Sequence, residues 1–229
     1  MDVKSLRGYG MAASDAEASW PESIMKNLKA SSKKVVFSNL NFLQKIKFAY
    51  HFIQEKKRSK SIDLSSIRAK GMSNENFINQ QLEYLSLYSA LRIAVGAVKA
   101  HEIALKIMDA TAREALLASI PTQEDIRKVG DPFNVYRSYF EVSPESSRKA
   151  GCHEVTIAEN SDTVYQFDIH WCVWFEMAKL FGVPEACIPN CYSDDLAYPE
   201  YFASLGLKYS RTSTLAMGGT HCDFRIERK

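Results

Sequence analysis

The spacing of hydrophobic positions changes along the chain, and each change predicts a new element. Residues 39–60, NLNFLQKIKFAYHFIQEKKRSK, place Phe42, Leu43, Ile46, Ala49, Tyr50 and Ile53 at steps of three and four. That is one face of an amphipathic helix, with lysines and arginines covering the other side and continuing past its end. Before it, SWPESIMKNLKA predicts a short helix with Pro21 in its first turn. From Ser73 a long helical zone follows. Phe77, Leu82, Leu85, Leu87, Leu91, Ile93 and Val98 make an apolar stripe wide enough for a buried helix, and Gly96 marks a break within it. KAHEIALKIMDATAREALLASI continues with strong helix formers until Pro121 and Gly130-Asp131-Pro132 punctuate the chain.

After residue 133 the period shortens. YRSYFEVS, HEVTIAEN and TVYQFDIHW are short, rich in β-branched and aromatic residues, and bounded by turn formers, so all three predict strands. The third alternates: Tyr165, Phe167, Ile169 and Trp171 on one face, Gln166, Asp168 and His170 on the other. VWFEMAKLFG predicts a helix stopping at Gly182, and DDLAYPEYFASLG a second short one. LKYSRTSTLAM, a Gly218-Gly219 turn and HCDFRIE predict a closing β-hairpin. The sum is an α+β fold: a helical N-terminal half packed on a C-terminal antiparallel sheet with an inserted helical crossover. Residues 1–19 are Ala-, Ser-, Gly- and acid-rich without periodicity and are expected to be a disordered tail. Residues 20–70 read as a basic helical extension and 71–229 as a single α+β domain.

Composition narrows the function classes. A chain of 229 residues, 46% hydrophobic, can bury a sizeable core, and a net charge of +2 commits the whole to neither nucleic acid nor membrane. The charge is uneven, with twelve Lys/Arg in 26–70 against Glu55 and Asp63. KKRSK at 56–60, next to the amphipathic helix 38–55, is compatible with a nuclear signal or a contact for nucleic acid or an anionic membrane, but a solvated face is the commoner role of a charged tract beside a helix. The tract lacks interleaved aromatics for base stacking, so no nucleic-acid partner is expected. There is no apolar leader and no 18-residue apolar run, hence no expected transmembrane segment. Five cysteines without an export signal read as reduced thiols in the cytoplasm. Oligomeric state is not constrained.

The candidate chemistry centres on those thiols. In GGTHCDFRIERK, Cys222 stands between His221 and Asp223, but neighbours on a strand face opposite ways. His221, Asp223 and Arg225 share one face while Cys222 joins Phe224 and Ile226 on the apolar side, where a core cysteine is common. Cys172 falls where a strand hands over to a helix, and free N–H groups there can lower a thiol pKa. Cys191 opens CYSDD, in which Ser193 or Asp194 could cap the next helix. Cys187 reads as a packing residue and Cys152 as a loop or strand thiol. A zinc site from Cys172, Cys191 and Cys222 with a His or Asp fourth ligand would need three separate segments to converge. His51 and His101 lie on predicted helices as surface or core groups.

The C-terminal third resembles the L-2-amino-thiazoline-4-carboxylic acid hydrolase family. The resemblance rests on IHWCVWFEMAKLFGVPEACIPNCYSDDLA and RTSTLAMGGTHCDFRI, with LYSALRIAVGAVKAHEIALKIM similar to that family's helical half, and covers about residues 75–229. It implies a hydrolase, acting on carbon–nitrogen bonds other than peptide bonds, that opens a cyclic C=N compound with help from a thiol and a carboxylate. Cys172, Cys191, Asp194, Cys222 and Asp223 are the polar residues that match. On this reading Cys191 or Cys222 is the nucleophile, Asp194 the acid/base and Arg211 the clamp for a substrate carboxylate, with Asp223, Trp171 and Thr214 as further binding residues. No cofactor or metal is implied, and the expected partner is a small-molecule substrate. Trp171 and Trp174 around Cys172 favour a substrate with apolar or aromatic parts. A non-catalytic small-molecule sensor with a cysteine-lined pocket is the alternative.

Overall fold

The computed structural model describes residues 2–229. Helices fill the first two thirds: α1 (Ala13–Ala18), α2 (Glu22–Ser38), α3 (Phe42–Ser59), α4 (Ser65–Ala69), α5 (Glu75–Val95), α6 (Ala97–Ser119), α7 (Gln123–Val129), α8 (Pro132–Glu141) and α9 (Ser143–Lys149). Strands β1 (His153–Asn160) and β2 (Val164–Cys172) follow. Then come α10 (Val173–Phe181), α11 (Cys187–Ser204), and strands β3 (Leu207–Ser210) and β4 (Cys222–Arg228). The sheet order is β1-β2-β4-β3, antiparallel throughout. The chain leaves β2, crosses through α10 and α11, and returns at the far edge, so β4 closes the gap. The α+β expectation and its helical crossover hold.

Local chemistry sets the helix ends. At the start of α3, Asn41 accepts from the Gln44 N–H at 2.9 Å while Gln44 accepts from the Asn41 N–H at 3.0 Å, a reciprocal capping box. Between α5 and α6, Gly96 takes φ +86°, a conformation a side chain would strain, and so divides the long helical zone where expected. Tyr88, Leu91, Ile103 and Phe77 are fully buried along that zone, but Val98, past the break, lies in water.

Three sequence expectations are corrected. The segment 136–143, expected as a strand, lies largely in α8. Asp131 caps it by accepting from the Asn134 N–H at 3.0 Å, Pro132 occupies its first turn, and Phe133, Tyr136 and Tyr139 bury one helical face. Packing at helical spacing overrides the β-rich composition. The tail expected over 1–19 contains α1, with Leu6, Ala12, Ser14 and Ala16 buried. Asn74 donates to Asp15 at 2.7 Å and Gln81 to Glu17 at 2.6 Å, so distant polar partners hold a segment with no periodicity of its own. Finally, α11 begins at Cys187, which puts Cys191, Ser193 and Asp194 inside a helix and not at its cap.

Among the described residues three hydrophobic cores result. One joins α5 and α10 with the N-terminal segment around Phe77, Tyr88, Met177 and Phe181. A second lies between the sheet and helices α8 and α11 around Tyr136, Tyr165, Phe202 and Ile226. The third packs α2, α3, α5 and α6 around Val36, Phe48 and Leu91.

Candidate functional site

Spacing along α11 builds one wall of the site. Cys187, Cys191, Asp194 and Tyr198 follow at steps of four, three and four, so they form one stripe along the helix. They line a cavity of about 480 Å³. Opposite, Cys222, Phe224 and Ile226 come from one face of β4, with Phe167 and Ile169 from β2 and Tyr209 from β3. Strand alternation therefore sends Cys222 to the apolar side, as expected, and Ile169 is its partner across the ladder. The turn before β4 needs Gly219, because a Cβ there would stand 2.1 Å from Ser213 Oγ and 2.9 Å from the Thr214 carbonyl oxygen.

The four cavity thiols differ in their proton affinity. Burial pushes Cys172 well above the ordinary thiol value, and the hydrogen bond from the Phe175 N–H only partly opposes it. The helix-terminus activation expected for Cys172 is thus outweighed by desolvation. Burial also pushes Cys222 up to about 11, although its sulfur accepts the Leu215 N–H at 3.2 Å. Cys187 is raised by its hydrogen bond to Cys191 and by burial. The same hydrogen bond works the other way on Cys191, holding its pKa below the ordinary thiol value against burial.

Beside Cys191, burial pushes Asp194 up to about 6, while Arg211 pulls it down. The Asp194 side chain keeps 28% exposure, enough to meet a ligand. Arg211 is only 2% exposed. It donates to Asp194 Oδ2 and Asp195 Oδ2, each at 2.8 Å, and to the Cys191 carbonyl oxygen, with its guanidinium over the Phe224 ring. Three of its five donors are therefore engaged within the protein, so its observed work is to fix α11 and the Asp194 carboxylate.

Three other expected site residues do not line the cavity. Asp223 faces away from Cys222, accepting from the Thr212 N–H at 2.9 Å and the Ser213 N–H at 2.6 Å. Burial works to raise it, but these hydrogen bonds prevail and lower it. Thr214 is buried and accepts from the Met217 N–H at 3.2 Å. Trp171 packs outside the cavity with Lys70 over its ring.

Other residues complete the wall. Glu17 reaches it from α1, accepting from Trp174 Nε1–H at 3.2 Å and from Gln81, and burial pushes it up to about 7. His153 stacks on Trp174, and burial holds it down at about 4, so it is neutral at physiological pH. Gln80 Oε1 and Tyr209 Oη are buried without a hydrogen-bond partner on residues of this wall, leaving polar capacity for a ligand. The i, i+4 relation of Cys187 to Cys191 could have revealed that pair. Nothing in the local pattern marks Glu17, whose place depends on Trp174 and Gln81.

Among the described residues, no group of three or more His, Cys, Asp or Glu side chains is arranged to hold a metal ion, and the zinc arrangement of Cys172, Cys191 and Cys222 is not formed. Also among the described residues, no helix is long and apolar enough to cross a membrane. A protein-family model described as L-2-amino-thiazoline-4-carboxylic acid hydrolase matches residues 76–226. Searches among curated proteins and among solved structures gave no match.

Proposed function

The chain belongs to the L-2-amino-thiazoline-4-carboxylic acid hydrolase family, and from that premise we propose that it hydrolyses a cyclic C=N compound of aminothiazoline type, one bearing an apolar substituent. The observation that carries this reading is the placement of Cys191 and Asp194 on one stripe of α11, with Arg211 hydrogen-bonded to Asp194, in a mostly apolar cavity. Cys191 is the cavity thiol whose pKa is lowered, so it is best suited to attack as a thiolate.

In this mechanism Cys191 Sγ bonds to the amidine carbon, C2, and the C2=N electrons move to the ring nitrogen, which takes a proton. The C2–S bond of the ring then breaks, and Asp194 in its acid form protonates the departing sulfur. Its pKa of about 6 suits it to exchange a proton near neutral pH. Water next attacks C2, Asp194 accepts one of its protons, and the Cys191–C2 bond breaks with the thiolate leaving, while the second water proton is released to solvent and balances the one the ring nitrogen took from it. The net change is one water added, with the ring opened to a carbamoyl group and a free thiol. Arg211 keeps Asp194 aimed at the reacting sulfur.

Cavity size supports the apolar substituent. Pockets of about 300–1,000 Å³ hold drug-sized ligands, so the parent ring compound would fill little of 480 Å³. Trp20, Met25, Leu28 and Met108 would contact the added group. A non-catalytic binding role is the second reading, favoured by the raised pKa of Cys172, Cys187 and Cys222.

Mass-spectrometric turnover decides between them. L-2-Amino-thiazoline-4-carboxylate and analogues with aryl or alkyl substituents are incubated with wild type and with Cys191→Ser. Ring-opened carbamoyl product from wild type, absent with the folded variant, is expected. Tight binding of an analogue without product would favour the second reading, and full turnover by Cys191→Ser would exclude Cys191 as nucleophile.

A further inference from the structure

α3 turns to solvent the stripe that its spacing would aim at a core. Phe42 and Leu43 are each 75% exposed, Tyr50 60%, Ile53 56% and Ile46 54%. They fall within an arc of about 100° on the helix. Phe48 and Phe52, on the opposite side, join Val36, Leu91 and Ala94 in the core, so α3 is already seated and its second apolar face has no partner among the described residues. The charges around that face are of one sign. At helical spacing Lys45 and Lys56 lie along one edge, Lys47 along the other and Lys57 within the stripe, with Lys60 just beyond the helix. None of these five is ion-paired among the described residues. The single acid of α3, Glu55, is turned inward and held by Arg58 at 2.6 Å.

We propose that α3 is a membrane-surface anchor, lying in the headgroup layer of a bilayer rich in anionic lipid with its apolar stripe inward. An apolar band edged by lysines matches that boundary on both sides. Aliphatic and aromatic groups enter the acyl region, and the long lysine stems let their ammonium groups reach lipid phosphates. A second copy of the chain fits less well. Apposed stripes would bring two lysine rims together, and one convex helix face falls short of the roughly 800 Å² per partner of a stable interface. Nucleic acid would satisfy the lysines but leave Leu43, Ile46 and Ile53 in water.

The test is co-sedimentation of the purified full-length protein with vesicles of phosphatidylcholine alone or with about 30 mol % phosphatidylserine. Binding to the anionic vesicles at least about tenfold above the neutral ones is expected, falling sharply near 0.5 M salt as the charges are screened. Leu43→Asp/Ile46→Asp abolishes it with unchanged thermal unfolding, since both side chains lie outside the core. Lys45→Gln/Lys47→Gln/Lys56→Gln/Lys57→Gln keeps the stripe and removes the preference for anionic lipid. The idea fails if folded wild type ignores phosphatidylserine vesicles, or if the Asp variant still binds them. It fails equally if that variant breaks a concentration-dependent dimer seen by sedimentation, or if the lysines instead retain RNA.

Discussion

α11 and α3 are each eighteen residues long, and each carries a distinctive stripe, yet the stripes face opposite ways. α11 directs two thiols, a carboxyl and a phenol into a mostly apolar cavity, where burial raises Asp194 and Tyr198 and the contact between the two thiols drives their pKa values apart. α3 directs large hydrophobic groups into water and instead buries Phe48 and Glu55, with Phe52 half-buried beside them. Periodicity therefore says that a helix has a face; it does not say what that face meets. The outcome depends on which side finds a complementary surface. For α3 that side is the narrower pair Phe48 and Phe52, which fits the groove along α5.

Substitutions on the two helices sharpen this contrast. Cys191→Ser should reduce turnover by at least about 10³-fold while leaving the unfolding midpoint close to wild type, as read by product mass spectrometry beside circular dichroism. On α3, Phe48→Ala should cost roughly 3–5 kcal/mol in urea unfolding, because its ring fills a core shared with Val36 and Leu91. Arg211→Leu should cost about 3 kcal/mol at pH 7, because Asp194 and Asp195 lose their guanidinium. That cost should shrink at pH 5, where Asp194 takes up a proton; an equal loss at both pH values would contradict the paired role.

Glu17→Gln tests burial at the cavity itself. Its folded pKa is raised from 4.5 to about 7, so the stability provided by the neutral form is full below pH 4.5 and lost as pH rises through 7. The glutamine variant should therefore gain on wild type between pH 5 and pH 8, by roughly 2–3 kcal/mol, in parallel melting curves. The smallest effect belongs to Ile46→Ser, on the outer face of α3, within about 0.5 kcal/mol. A loss comparable to Phe48→Ala would show that the outer stripe is covered after all.

Much of the fold was legible because it rests on local rules. Gly96 breaks the long helical zone, Gly182 stops α10, and alternation assigns faces correctly along β4 and along β2 as far as Ile169; the register shift that follows turns Trp171 out of the cavity and leaves Cys172 lining it. The strand expected over 136–143 misled because aromatic residues suit a sheet or a helix core equally, and the Asp131-Pro132 start decided for the helix. Of the site, Cys172, Cys191, Asp194, Arg211 and Cys222 were legible from sequence and do gather around one cavity. Asp223, Thr214 and Trp171 stand in the same motifs but face elsewhere, since neighbours in sequence are not neighbours in space. Glu17 was illegible because its environment is assembled from Gln81 and Trp174, far along the chain.

The cavity wall is divided between two stretches of chain. The thiols, Asp194 and Arg211 lie within residues 76–226, whereas Met11, Ala16, Glu17, Trp20, Met25 and Leu28 come from before that region. Exchanging the first thirty or so residues would change the lining on that side while leaving the thiols, Asp194 and Arg211 unchanged in sequence, so two chains alike over 76–226 could enclose differently shaped cavities.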